Sequence, residues 1–143
     1  MSTWNIKQTA EFQEWFDEAD KKLQEAIVEH VELLRQMGPQ LARPYADTLK
    51  GSSITNLKEL RFDSGEKVIR VFYVFDPDRN GVLLIGGNKS SSQGKTFYKD
   101  MIDKSEKIYA RYLEECKQAL EKEKKKIESK KEPSKKDKKG KKK

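Results

Sequence analysis

Apolar positions recur at two different periods along this chain, and the change between them divides it. Between Thr9 and Met37 the spacing is helical. Phe12, Trp15, Phe16 and Ala19 share one face, and Leu23, Ala26, Ile27, Val31 and Leu34 form a second stripe from about Lys21 onward. Thr9 can cap the first helix, because its hydroxyl accepts from a free first-turn amide. Gly38 supplies a left-handed cap to the second, and Pro39 prevents continuation. Together they read as an αα-hairpin, preceded by a short alternating strand from Thr3 to Gln8. After residue 55 the period becomes that of strands. Asn56–Phe62 and Lys67–Phe75 flank the turn signal Asp63-Ser64-Gly65-Glu66, and Val82–Ile85 is apolar on both faces, as a strand inside a sheet is. A Gly- and Ser-rich loop, 86–94, follows. From about Thr96 a helical stripe returns through Met101, Ile102, Ser105, Ile108, Tyr109, Tyr112, Leu113 and Cys116. The order β-α-α-β-β-β-α predicts an α+β fold of two layers, an antiparallel sheet of about four strands with helices on one side. Residues 1–120 form the expected domain. Beyond Leu120 apolar residues nearly vanish, so 121–143 is expected to be a disordered Lys-rich tail or a fraying helical extension.

Charge sharpens this division. The chain carries +7 overall, but residues 121–143 hold 13 Lys against 5 acids, so the remaining 120 residues are close to neutral at −1. Within them, residues 1–40 carry −4 and residues 41–100 carry +3, so the middle third is where a polyanion-binding surface should be sought. No run of eighteen apolar residues and no charged-then-apolar leader occurs, so no membrane partner is expected. A single cysteine, Cys116, excludes an internal disulfide and fits a cytoplasmic setting.

Familiar catalytic devices are scarce. His30 stands alone in an acidic amphipathic helix, without a second His or Cys for a metal or nucleophilic pair. The glycines at 86, 87 and 94 do not have the spacing of a phosphate-binding loop, and Asp76 and Asp78 sit in a Pro-containing turn that favours Asp anyway. No metal and no cofactor is expected. What remains is a set of cations on strands and loops: Lys50, Lys58, Arg61, Arg70, Lys89 and Lys95. Arg61 and Arg70 lie on the two arms of one hairpin. With Asp63 and Glu66 as its last pair, Arg61 opposes Val68 and Arg70 stands diagonal on the same face, a pair of bidentate forks suited to phosphate. Alternatively the two arginines pair with Glu59 and Glu66 at the sheet surface. Phe72, Tyr73, Phe75, Phe97 and Tyr98 are either base-stacking or core residues, and Tyr98, after the loop, is the best candidate for the former.

The segment Arg43-Pro44-Tyr45-Ala46-Asp47-Thr48-Leu49-Lys50-Gly51, followed by Asn56-Leu57-Lys58-Glu59-Leu60-Arg61, resembles a signature of the RelE/ParE toxin superfamily. Its nearest branch is that of the HigB-like, phage-derived toxins of type II toxin–antitoxin systems. The strand Val68-Ile69-Arg70-Val71-Phe72-Tyr73 and the segment Val82–Lys89 are similar to later parts of the same pattern, which covers about residues 3–115. The resemblance implies a RelE-like fold and a ribosome-dependent endoribonuclease that cuts mRNA without metal. It also implies a cognate antitoxin, commonly a helix-turn-helix DNA-binding protein, forming a hetero-oligomer with the toxin. By matched position it implies that Arg61, Arg70 and Lys89 hold the scissile phosphate and that Lys50 or Lys58 touches RNA. Lys95, one of the same set of cations, is added to these as an RNA contact, and Tyr98 is the first candidate for proton transfer. Two departures stand out: Lys89 is followed by Ser90 where many relatives carry a second Lys, and the Lys-rich tail lies outside the pattern. A gyrase inhibitor of the ParE type, or a non-catalytic RNA- or ribosome-binding module anchored by the tail, are the competing functions, because one fold supports several activities.

Overall fold

The helical spacing produces the hairpin as expected. Helix α1 spans Ala10–Glu18 and helix α2 Lys21–Met37 in a computed structural model that describes residues 3–90 and 96–141, with side chains through residue 129. Thr9 caps α1 by accepting from the Phe12 amide at 3.2 Å, and Asp20 caps α2 by accepting from the Leu23 amide at 2.8 Å. His30 has a packing role on α2: its ring stacks on Phe62 at 4.2 Å and its Nδ1 lies 2.8 Å from the Ala26 carbonyl.

Five strands follow from the rest of the pattern: β1 (Asn5–Gln8), β2 (Ala46–Thr48), β3 (Lys58–Ser64), β4 (Lys67–Phe75) and β5 (Asn80–Asn88). They form one sheet in the order β1-β5-β4-β3-β2. The sheet is mixed rather than antiparallel, because β1 runs parallel to β5 while every other pair is antiparallel. The expectation of about four strands missed β2, whose three residues are too few to show a period of two. As expected for a strand apolar on both sides, β5 lies inside the sheet.

Alternation along β4 separates two packing surfaces. Ile69, Val71 and Tyr73 join Leu60, Phe62, Leu83, Phe12, Leu23, Ile27 and Leu34 in the main core under α1 and α2. Phe72 points the other way, toward Phe97 and Tyr98 at the start of helix α3 (Phe97–Lys141). The helices therefore lie on both faces of the sheet, not one. Two adjacent glycines of β5 make room for this. A Cβ at Gly86 would lie 2.3 Å from the Trp15 ring of α1, and one at Gly87 would lie 3.0 Å from Phe97 of α3. On this second face Phe97, Met101, Ser105 and Ile108 are the buried positions of α3, three or four residues apart.

The chain divides into two units, Met1–Tyr109 and Ala110–Lys143. In the second, the backbone is helical through Lys141, and Leu113, Leu120 and Ile127 are exposed. No helix among the described residues is long and apolar enough to cross a membrane.

Candidate functional site

The β3–β4 hairpin fixes the centre of the site. Its last pair is Ser64 with Lys67, so Gly65 and Glu66 form a two-residue turn in which Gly65 takes φ +62°. Pairing is thus shifted by two from the expected register, and Arg61 stands directly opposite Arg70 rather than diagonal to it. A shift of two preserves which residues share a face. The two guanidiniums remain together, on the α3 side.

Two like charges facing each other across a ladder repel unless something stands between them. Glu59, two residues before Arg61 and on the same face, fills that role, and it is 2% exposed. Its Oε2 accepts from Arg61 Nη1 at 2.9 Å, while its Oε1 accepts from the Tyr98 hydroxyl at 2.8 Å and lies 3.6 Å from Arg70 Nε. Arg70 Nε also donates to the Tyr98 oxygen at 3.3 Å, and its Nη1 donates to the Ile69 carbonyl at 2.8 Å. Lys89 continues β5 through a 2.7 Å bond from its amide to the Val68 carbonyl, and its ammonium sits 5.0 Å from the centre of the Tyr98 ring. Burial pushes the Tyr98 phenol above its ordinary range, with Glu59 acting in the same direction and Arg70 opposing. Tyr98 is therefore a protonated hydroxyl at neutral pH.

One strand further out, Asp47 of β2 stands directly opposite Glu59. It accepts from Arg43 Nε at 3.0 Å and Nη2 at 2.7 Å, both on Oδ2. This bond, aided by the Thr48 amide and the nearby Arg61, holds the Asp47 carboxyl below the usual carboxylate range. Arg43 in turn feels Glu59 and Tyr98 as well as Asp47. The face so built presents Arg43, Arg61, Arg70 and Lys89 around the two carboxylates Asp47 and Glu59.

Of the residues singled out from sequence, Arg61, Arg70, Lys89 and Tyr98 come together. Lys58 does not join them: it lies on the opposite side of β3 with Leu60 and Phe62, its ammonium donating to Thr48 Oγ1 at 2.8 Å. Lys50 is exposed on the turn after β2, and Lys95 lies outside the described residues. Sequence reasoning placed Glu59 only as a surface partner of the arginines. It is instead the buried hub, and Arg43 with Asp47 was not singled out for the site. Among the described residues no group of three or more His, Cys, Asp or Glu is placed to hold a metal ion.

The model of the phage-derived Gp49-like family matches residues 14–110, and this chain belongs to that family. It is 33% identical over 100 residues to HigB2 of Mycobacterium tuberculosis and 36% identical over 78 residues to HigB3 of the same organism, both named as toxins. Those alignments take in 69% and 54% of this chain, and the chain spans about half of HigB2 (49%) and 67% of HigB3. Among solved structures, one chain of the toxin–antitoxin complex RelBE2 from M. tuberculosis aligns with a TM-score of 0.49 at 14% identity, over 60% of this chain and 98% of that one. A copper-bound mutant toxin from Helicobacter pylori aligns at 0.40 and 18% identity, over 61% and 96%.

Proposed function

We propose that this member of the Gp49-like family is the toxin of a type II toxin–antitoxin system, and that it acts by cutting mRNA on the ribosome. The toxin names of HigB2 and HigB3 support the first part. One observation carries the second: a buried carboxylate, Glu59, tied at once to Arg61 and to a half-buried tyrosine hydroxyl, with the Arg70 guanidinium alongside.

That arrangement suits internal phosphoryl transfer in RNA. The 2′-hydroxyl of a ribose attacks the adjacent phosphorus, the bond from phosphorus to the 5′-oxygen breaks, and a 2′,3′-cyclic phosphate and a 5′-hydroxyl result. Negative charge grows on the phosphate oxygens and is met by the fixed guanidiniums of Arg61 and Arg70, already oriented by Glu59 and so needing little reorganisation. The proton leaving the 2′-oxygen passes to the Tyr98 oxygen as the Tyr98 proton passes to Glu59 across their 2.8 Å bond. This relay needs a protonated phenol facing the substrate and a carboxylate behind it. The Lys89 ammonium, over the ring of Tyr98, supplies the proton for the departing 5′-oxygen. Translating ribosomes place the substrate in the cytoplasm. A cell carrying this activity needs an antitoxin partner, expected as a helix-turn-helix protein.

Purified protein added to translating ribosomes should cut mRNA in the presence of a chelator. Arg61→Ala and Arg70→Ala should each lower the rate about 10²–10³-fold, the cost of removing one preorganised donor. Intact mRNA at high protein concentration, together with inhibited gyrase supercoiling, would sink the nuclease reading and favour a gyrase inhibitor.

A further inference from the structure

The guanidiniums on this face differ sharply in exposure. The Arg70 side chain is 9% exposed, Arg61 25% and Arg43 69%, a gradient from mid-sheet to the β2 edge. Each is backed by a carboxylate: Glu59 behind Arg61 and Arg70, and Asp47 behind Arg43. The two carboxylates are direct neighbours across the β2–β3 ladder, where opposed side chains share a face with Cβ atoms about 4.5–5.5 Å apart. The same device is thus built twice, one strand apart.

Arg43 is the copy with donors to spare. An arginine fork carries five N–H groups. Two of those on Arg43 go to a single oxygen of Asp47, and the others have no hydrogen-bond partner among the described residues. Asp47 therefore fixes the plane of the fork without saturating it, and the free edge meets solvent. A group so placed is preorganised for an anion that arrives from outside. Single-stranded RNA brings one such anion with every nucleotide.

We infer that Arg43, oriented by Asp47 at the β2 edge, is a second phosphate-binding position, which takes the backbone phosphate of a nucleotide flanking the one held by Arg61 and Arg70. This rests on the reading of the face as an RNA site and extends it. The RNA strand leaves the scissile position across β3 toward β2, and Arg43 contributes to substrate binding, not to the chemical step.

The test uses the full chain and a labelled single-stranded RNA with a 2′-deoxyribose at the cut position, so that binding is read without cleavage. Affinity is measured against salt for wild type, Arg43→Ala, Arg43→Gln and Asp47→Asn, with urea unfolding of each as a control. Loss of one phosphate contact should weaken binding by Arg43→Ala and Arg43→Gln and reduce the slope of log affinity against log salt by about 0.7. Asp47→Asn keeps an oxygen that can orient the Arg43 fork and removes only the competing negative charge, so its binding should hold or tighten. An Arg43–Asp47 bridge that merely braces β2 predicts the opposite: Asp47→Asn and both Arg43 variants then weaken RNA binding and stability alike, which overturns the inference. Cleavage on ribosomes separates the two levels. A wild type that cuts, with Arg43 variants unchanged in KM and salt slope, removes the second position and leaves the nuclease. A wild type that binds RNA through Arg43 but never cuts removes the nuclease and leaves the binding position.

Discussion

Strand β4 sends Ile69, Val71 and Tyr73 to one side of the sheet and Arg70 and Phe72 to the other. On the first side two amphipathic helices lie over the strand, and Ile69, Val71 and Tyr73 pack among apolar side chains, with an exposed Lys67–Asp20 ion pair beside them. The second side is roofed by the start of α3 beside Phe72, while Arg70 meets a carboxylate and a phenol instead of hydrocarbon. The difference lies in what each side leaves unsatisfied. A hydrocarbon core is complete when packed, whereas the Glu59 cluster holds charge that a phosphate can complete. On the proposed reading, adjacent residues of one strand divide between stability and function by parity alone.

The largest effects that test this division are the loss of Ile69 and the loss of Arg70. Ile69 is fully buried in the main core, so Ile69→Ala should cost about 2–5 kcal/mol in urea unfolding. Its cleavage rate per folded molecule should stay unchanged. Arg70→Ala should show the reverse, with cleavage nearly lost. Its stability falls less, since Glu59 keeps Arg61 and Tyr98 as partners. If Arg70→Ala unfolds at lower urea than Ile69→Ala, Arg70 is a core residue first and the division by parity fails.

Tyr98→Phe is a finer cut on the same side. It keeps the ring against Phe72 and under Lys89 and removes only the hydroxyl that links Arg70 to Glu59. A relay through that oxygen predicts a fall of about 10²-fold in kcat with KM little altered. A rise in KM with kcat intact would make Tyr98 a binding surface and move proton transfer elsewhere.

Much of this was legible in the sequence, and what was not has physical reasons. The bounds of α2 and β4 emerge as read, because each holds its period over many residues. β2 has three residues and no period to show. The hairpin register depended on whether Ser64-Gly65 or Gly65-Glu66 forms the tight turn, which local composition leaves open. Lys58 could have been set aside by alternation, since it falls on the same side as Leu60 and Phe62. Glu59 carried a visible signal, a charge two residues from Arg61 within an apolar strand. Its burial was not visible, because the cover comes from Tyr98, some forty residues later. Arg43 joins the site only through β2, so missing the strand meant missing the residue.

The smallest effect belongs to the other tyrosine of the sheet. Tyr73 lies with the main core, and its hydroxyl is buried with no hydrogen-bond partner among the described residues. A buried hydroxyl without a partner is a cost to folding, so Tyr73→Phe should leave stability within about 1 kcal/mol of wild type or raise it. Cleavage should not change. The two proteins should separate only at high pH. Burial pushes the Tyr73 phenol above its ordinary value of 10.0, which means the folded state prefers the protonated form. That preference contributes nothing adverse below pH 10. Above it the unfolded chain ionises first, and wild type loses stability as pH climbs toward the folded value. The Phe variant lacks this group and should lose less over the same range. Urea unfolding of both at pH 7 and above pH 10 reads the difference. Lost cleavage in Tyr73→Phe at neutral pH would mean that the apolar side takes part in the chemistry, and that parity along β4 does not separate the two roles.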